Sequence, residues 1–236
     1  MSEFIYGKNP VREAIKAKKN LFALYVTNTN QEIIELAKQN KIDYKIVNQD
    51  YLNSLVKGVH QGVVAEVGNY RYYQLDEILN TNSKYPLIVI LDGLQDPHNL
   101  GAILRICDAS GVDGVIIPKH RSVALNNTVA KVSTGAIEYV KVCEVTNLNS
   151  VIKQLKTKGY WIVGAENTPK SVDYASVDYK MPVALVIGSE GKGISRLVLE
   201  SCDYVVKIPM VGHVNSLNAS VSCGILVYQI IEKRKE

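Results

Sequence analysis

From residue 87 onward the chain alternates short apolar runs with amphipathic stretches, and this alternation constrains its fold more than any other feature. The runs are Leu87–Leu91, Gly114–Ile117, Ala136–Val142, Trp161–Ala165, Val183–Ile187 and Tyr204–Ile208. Runs of Val, Ile and Leu leave no polar side for water, so strands of this kind are covered on both faces. Helices between successive strands supply that cover in a parallel sheet, and the expected class is therefore α/β. None of these runs approaches the roughly 20 apolar residues that cross a bilayer. The first residues, MSEFIYGKNP, hold an early glutamate and no apolar h-region. A soluble, cytoplasmic protein with no membrane association is expected.

The first 70 residues follow a different rhythm. Asn9 before Pro10 predicts a helix over Pro10–Lys18, Leu21–Val26 a strand, Glu32–Gln39 a helix, and Tyr44–Val47 a second strand. A short helix near Asp50–Leu55 and a buried strand closing Gly58–Val67 complete a small α/β unit. The polar, aromatic stretch that follows has only a weak helix signal at Leu75–Leu79. The division expected is 1–70, a linker over 71–85, and 86–236. In a chain of 236 residues that is two domains.

A net charge of +4 is compatible with an acidic partner such as RNA and with many others. Cys107, Cys143, Cys202 and Cys223 are widely spaced and have no adjacent histidine. They are expected to be buried free thiols, and no metal site is expected.

Three segments concentrate the residues that carry chemistry. In the first, Asp96–Arg105 (DPHNLGAILR), Pro97 makes a turn and Leu100, Ile103, Leu104 and Cys107 recur at helical spacing until Gly111 ends the helix. Asn99 lies at the helix start and Arg105 about one and a half turns on. Helical side chains lean back toward the N-terminus, so a long Arg105 can approach the positive, amide-rich end, where a phosphate would fit. In the second, Ile187–Gly193 (IGSEGKG), a strand runs into a glycine loop. A Walker A loop would need glycine where Val186 stands and Ser or Thr where Gly193 stands, and the dinucleotide fingerprint has a different glycine spacing. What remains is a loop whose Gly188, Gly191 and Gly193 allow close backbone approach to a ligand, with Glu190 its only carboxylate. In the third, Ile208–Ser220 (IPMVGHVNSLNAS), Asn215, Ser216, Asn218 and Ser220 crowd the start of the last helix beyond what capping requires. Leu217, Val221, Gly224, Ile225, Tyr228 and Ile231 give that helix an apolar stripe. His98, His120, Lys170, Asp173 and Asp178 carry no assignment.

In order and content these three segments resemble the motifs of the SpoU/TrmH (SPOUT) family of RNA ribose 2′-O-methyltransferases, over about residues 85–232. The likeness is nearest to the 23S rRNA guanosine-2′-O-methyltransferases of the RlmB type, with tRNA enzymes or a non-catalytic RNA-binding protein as alternatives. IYGKNPVREAI together with HQGVVAEV resembles the ribosomal-protein-like (L30e-like) substrate-binding domain of such enzymes. The resemblance implies a C-terminal parallel-sheet domain with a deep trefoil knot and S-adenosylmethionine as cofactor. It also implies a homodimer and an RNA substrate, ribosomal rather than transfer RNA. It implies cofactor contacts at Gly188, Gly191, Ile208 and Leu217, with Met210 nearby, and RNA contacts at Lys8, Arg12, His60 and Gln61 beside Gly7. Catalysis would fall to Arg105, oriented by Asn99, Glu190, Ser216 and Asn218. Arginine stays protonated, so it is expected to stabilise a developing alkoxide and clamp a phosphate, not to act as a simple base.

Overall fold

The computed structural model describes residues 3–19, 21–68 and 70–235. In chain order the first elements are β1 (Glu3–Tyr6), α1 (Lys8–Lys16), β2 (Leu21–Val26), α2 (Gln31–Gln39), β3 (Lys45–Ile46), α3 (Gln49–Leu55) and β4 (Val63–Val67). There follow α4 (Leu75–Leu79), β5 (Leu87–Asp92), α5 (Pro97–Ser110), β6 (Gly114–Pro118), α6 (Asn127–Val132), β7 (Val142–Val145) and α7 (Leu148–Thr157). The last are β8 (Trp161–Ala165), β9 (Val172–Asp173), β10 (Val183–Gly188), α8 (Arg196–Leu199), β11 (Tyr204–Lys207) and α9 (Ala219–Lys235). They form two compact units, Met1–Arg71 with Leu125–Tyr139, and Tyr72–Ala124 with Val140–Glu236.

The first unit is built on a four-stranded sheet of order β1-β4-β2-β3, in which only the β2–β3 pair is parallel. Ile5, Val11, Ile15, Leu24, Ile33 and Val63 are buried in it. Helix α1 starts two residues earlier than Asn9–Pro10 suggests. Gly7, at φ 99°, makes the turn, and the Gln61 side chain accepts from the Lys8 amide at 3.1 Å in place of an Asn9 cap. β1 is too short a run of apolar residues to show a period in the sequence.

The segment 125–139, which the sequence division leaves inside 86–236, packs in this first unit, where α6 lies against β1 and α1. Lys19 and Glu138, each about one-tenth exposed, pair at 2.8 Å, and the Lys19 ammonium sits 3.7 Å from the centre of the Tyr70 ring. The Tyr139 hydroxyl donates to Glu13 at 2.6 Å. The strand expected over Ala136–Val142 is therefore displaced. Thr134 and Gly135 both take positive φ and reverse the chain, Ala136–Glu138 is a 3₁₀ turn, and pairing with β6 begins only at Val142.

The second unit is a seven-stranded sheet of order β7-β6-β5-β10-β8-β11-β9, parallel at every pairing. The expected parallel α/β sheet is thus observed. Residues 72–85, expected as part of a linker, belong to this unit. Ile78 of α4 is fully buried and fills the space left by Gly114, where a Cβ would come within 2.5 Å of it, and the Tyr73 amide donates to Val142. Burial of such a side chain contributes about 2 kcal/mol. Gln74 and Glu77 form a capping box at the start of α4.

α9 is held at its far end by Arg234, which donates to the carbonyls of Tyr179, Met181 and Pro86. Its buried stripe is Cys223, Leu226, Val227 and Ile230. The stripe singled out from sequence lies largely outward, with Val221 49% and Tyr228 52% exposed. The helix is apolar on two sides. Among the described residues no helix is long and apolar enough to cross a membrane.

Candidate active site

In an open parallel sheet ligands bind beyond the carboxyl ends of the strands, where strand order reverses. Here the reversal lies between β5 and β10, since the chain passes from β5 to β6 on one side while β10 pairs with β5 on the other. The loop after β10 stands at that point and is tightly pinned. Ser189 and Gly193 exchange two backbone hydrogen bonds of 3.1 and 2.9 Å. The Ile194 amide donates to Glu166 at 2.9 Å, and the Ser195 amide donates to Asp92 at 2.7 Å. A Cβ on Gly188 would lie 2.2 Å from the Gly193 carbonyl carbon, so no larger residue fits this closure. Gly191, at φ 78°, has open space around it and supplies only the left-handed turn.

The first and third segments meet at this loop. The Asn99 side chain donates to Glu190 Oε1 at 2.6 Å, Asn218 donates to the same oxygen at 2.9 Å, and Asn218 also donates to Asn99 Oδ1 at 2.9 Å. These bonds close a ring of three side chains, one from each of the three segments. Asn218 Oδ1 in turn accepts from the Ser220 amide and hydroxyl, so one residue caps α9 and holds the ring. Asn99 is not the cap of α5, a role taken by Asp96, whose carboxylate accepts from the His98 amide. Asn99 sits in the first turn, 5% exposed, with its polar atoms committed to the ring.

Two cavities flank the loop. One, of about 340 Å³, is lined by Ile187, Gly188, Gly191, Ile208, Met210 and Leu217, with Ser216 and Glu190 also at its wall. Its apolar side chains and backbone, with a few polar groups, suit a small amphipathic ligand. The other, of about 750 Å³, lies on the β5 and β6 side and shares Ser189, Glu190, Lys192 and Gly193 with the first.

Of the residues expected at the site, the structure gathers Asn99, Glu190, Ser216 and Asn218 with Gly188, Gly191, Ile208, Met210 and Leu217. It does not bring Arg105 to them. Arg105 is on the exposed face of α5, lines neither cavity, and has no hydrogen bond or ion pair among the described residues. Two groups were missed, Glu166 and Asp92, which pin the loop. Each follows an apolar run, and position at a strand's carboxyl end was the available signal.

In the first unit Lys8 and Gln61 are exposed and adjacent, as the hydrogen bond between them requires. His60 corrects the expectation of an RNA contact. It is 5% exposed, and its ring bonds Asn53 and the Gly62 amide, so it shapes the turn from inside. Arg12 is half-buried and engaged with Glu32 and Asn9, both at 2.8 Å. Cys107, Cys143 and Cys223 are buried and Cys202 half-buried, all as free thiols. Among the described residues no group of three or more His, Cys, Asp or Glu could hold a metal ion.

Comparison with known proteins places this architecture. Residues 86–228 match the SpoU rRNA methylase family, and residues 4–73 match the substrate-binding domain of RNA 2′-O-ribose methyltransferases. YacO of Bacillus subtilis, named for the TrmH family of tRNA/rRNA methyltransferases, is 45% identical over 98% of this chain and 96% of its own. A TrmH family tRNA/rRNA methyltransferase of Staphylococcus saprophyticus is 49% identical over 98% and 95%. The crystal structure of the SpoU methyltransferase AviRb from Streptomyces viridochromogenes, in complex with the cofactor AdoMet, superposes with a TM-score of 0.87. It has 25% identity and covers 100% of this chain and 91% of that one. With both halves matched and the ring of motif residues assembled, the chain belongs to the SpoU/TrmH family of RNA 2′-O-ribose methyltransferases.

Proposed function

We propose that the protein methylates the ribose 2′-hydroxyl of a guanosine in 23S ribosomal RNA, with S-adenosylmethionine as donor, as a cytoplasmic homodimer. The observation that carries this reading is the Asn99–Glu190–Asn218 ring, whose Glu190 stands at the wall shared by two cavities. A two-substrate transfer needs two ligand spaces with fixed polar groups between them. The smaller cavity fits the cofactor, with Gly188, Gly191, Ile208 and Leu217 offering backbone and apolar contact and Ser216 a hydroxyl. When bound, the cofactor supplies an activated methyl group on sulfur. The chain's own task is to hold the ribose, keep water out and favour loss of the hydroxyl proton.

Arg105 is the residue we assign to the last task, as a stabiliser of negative charge on the ribose oxygen and a clamp on the adjacent phosphate. Its exposure on α5, away from both cavities of its own chain, supports a dimer in which a second copy completes the site. The outward apolar stripe of α9, with Val221 and Tyr228, is the surface on which such a copy would pack. The trefoil knot belongs to the same proposal. It is supported by β11 running between β8 and β9 before the chain continues into α9 against α5.

Ribosomal RNA is favoured by the substrate-binding domain and by the family's description. Transfer RNA is the second reading, because the relatives are named for both RNAs. Lys8 and Gln61 remain the proposed RNA contacts of the first unit, and Arg12 a supporting cation. The test is methyl transfer from labelled S-adenosylmethionine to unmodified large-subunit rRNA, small-subunit rRNA and bulk tRNA, with Arg105→Ala as control. Label in large-subunit rRNA that vanishes in the variant is expected. Label in tRNA alone would overturn the choice of RNA, and no label despite cofactor binding would overturn the enzymatic reading.

A further inference from the structure

The larger cavity holds groups that neither motif nor comparison assigns. It is bounded by the end of β5 and the loop behind it, by the turn after β6, and by the loop after β10. The turn after β6 is anchored on both sides. The Lys119 amide donates to Val145, the Val123 amide donates to Leu94 at 2.8 Å, and the Ser122 hydroxyl donates to the same carbonyl. Between these anchors stand His120 and Arg121, and Arg121 adopts φ 59°. A left-handed arginine costs about 1 kcal/mol or more over glycine at the same position, and such strain is kept where the side chain has a task. Across the cavity Lys192 is carried between Gly191 and Gly193, both left-handed.

Arg121, Lys192 and His120 are all exposed, and among the described residues none has an ion pair or a side-chain hydrogen bond. The carboxylates of the same cavity are differently placed. Asp92 accepts from the Ser195 amide, Asp96 from the His98 amide, and Glu190 from Asn99 and Asn218. Each is tied into the scaffold, so the unengaged charge facing the space is cationic. Cationic groups at the rim with anchored acceptors behind match a nucleotide, whose phosphate is anionic and whose sugar and base carry donors. They match a free inorganic anion less well, since that would meet three carboxylates. The space is also larger than the cofactor cleft, and it adjoins that cleft through Glu190.

We infer that the cavity between the ends of β5, β6 and β10 receives the RNA nucleotide to be methylated, with Arg121 and Lys192 holding its flanking phosphates. The inference rests on the proposed RNA methyl transfer for its chemical outcome, while its binding step can be read separately. Arg121 and Lys192 are substrate-binding residues in it, distinct from Arg105. Loss of one charge-assisted phosphate contact weakens RNA binding about tenfold at moderate salt. It also lowers the slope of log affinity against log salt by about 0.7 for a single strand.

Arg121→Gly is the informative variant, because glycine removes the charge and accepts the left-handed backbone, so the turn is retained or relaxed. Equilibrium binding of large-subunit rRNA and bulk tRNA transcripts would be measured across a salt series for wild type, Arg121→Gly, Arg121→Lys and Lys192→Ala. S-adenosylmethionine affinity and thermal unfolding would be followed in parallel. Expected in Arg121→Gly are unfolding no earlier than in wild type, unchanged cofactor affinity and weakened RNA binding with a shallower salt slope; Lys192→Ala should share the RNA effect, and Arg121→Lys should recover it in part. In turnover the same variants should raise KM for RNA and leave kcat within a few-fold. RNA affinity and salt slope equal to wild type in both charge-removing variants would overturn the inference. Absence of methyl transfer by the wild type, with these binding differences intact, would overturn the enzymatic reading alone.

Discussion

At the scale of single residues, the loop after β10 separates two reasons for glycine that a sequence shows as one letter. Gly188 has no room, since a Cβ would overlap the backbone of Gly193 and Ile194, whereas Gly191 has ample room and only needs a positive φ. Gly188→Ala is expected to cost about 1–3 kcal/mol, because packed backbone must shift, and to abolish cofactor binding. Gly191→Ala should cost about 1 kcal/mol and weaken cofactor binding modestly. Thermal unfolding and calorimetric titration with S-adenosylmethionine distinguish the two, and equal effects would show that the loop does not discriminate them. In the polar ring, Asn218→Ala removes two bonds to the ring and the cap of α9 together. It should lower turnover strongly and stability by about 1 kcal/mol, measured by methyl transfer and urea unfolding. Asn218→Ser, which can still cap, should restore the stability and not the turnover.

At the scale of elements, the sequence was most legible where a run of apolar residues ended in its own turn. β2, β5, β6, β8, β10 and β11 fall within one residue of their expected bounds. β7 was not legible, because Ala136, Ile137 and Val140 are apolar for burial and not for pairing. Helix α4 gave a weak signal at its observed bounds, Leu75–Leu79, because five residues barely show a period. α9 was legible as a helix but not in its facing, since apolar residues occupy both sides and periodicity alone cannot say which side the sheet takes. The ring was half legible. Asn99, Glu190 and Asn218 were each visible as polar residues at loop ends, whereas their convergence depends on strand order. The segment 125–139 also carries a prediction. Lys19 and Glu138 are a partly buried pair with an aromatic ring beside the ammonium, and removal of one partner leaves a desolvated charge. Lys19→Met should destabilise the first unit by about 2 kcal/mol, and adding Glu138→Gln should recover part of that loss. Denaturant unfolding of the single and double variants checks it, and strict additivity would show that the pair is not coupled.

At the scale of the whole molecule, buried thiols set an alkaline limit. Burial pushes Cys202, beside Asp203, and Cys223 up to about 12 from an ordinary 9.0. A folded-state value raised above the unfolded one leaves stability intact below pH 9. Above that, the unfolded chain releases protons the folded chain retains, and stability falls until pH reaches about 12. Each thiol accounts for about 1.4 kcal/mol per pH unit in that window. Urea midpoints should be level from pH 7 to 8.5 and decline above 9, less steeply in Cys223→Ala. A flat profile to pH 11 would contradict the burial of these groups. The excursion of residues 125–139 bears on how the molecule can be taken apart. The polypeptide passes between the units three times, near residues 71, 124 and 139. The N-terminal module is therefore not a detachable cassette. A cut near residue 71 would strip α6 and its neighbours of their packing, and a transplanted 1–71 fragment would carry an open seam. Swapping specificity between relatives at this locus calls for both stretches to be exchanged together, as one discontinuous graft.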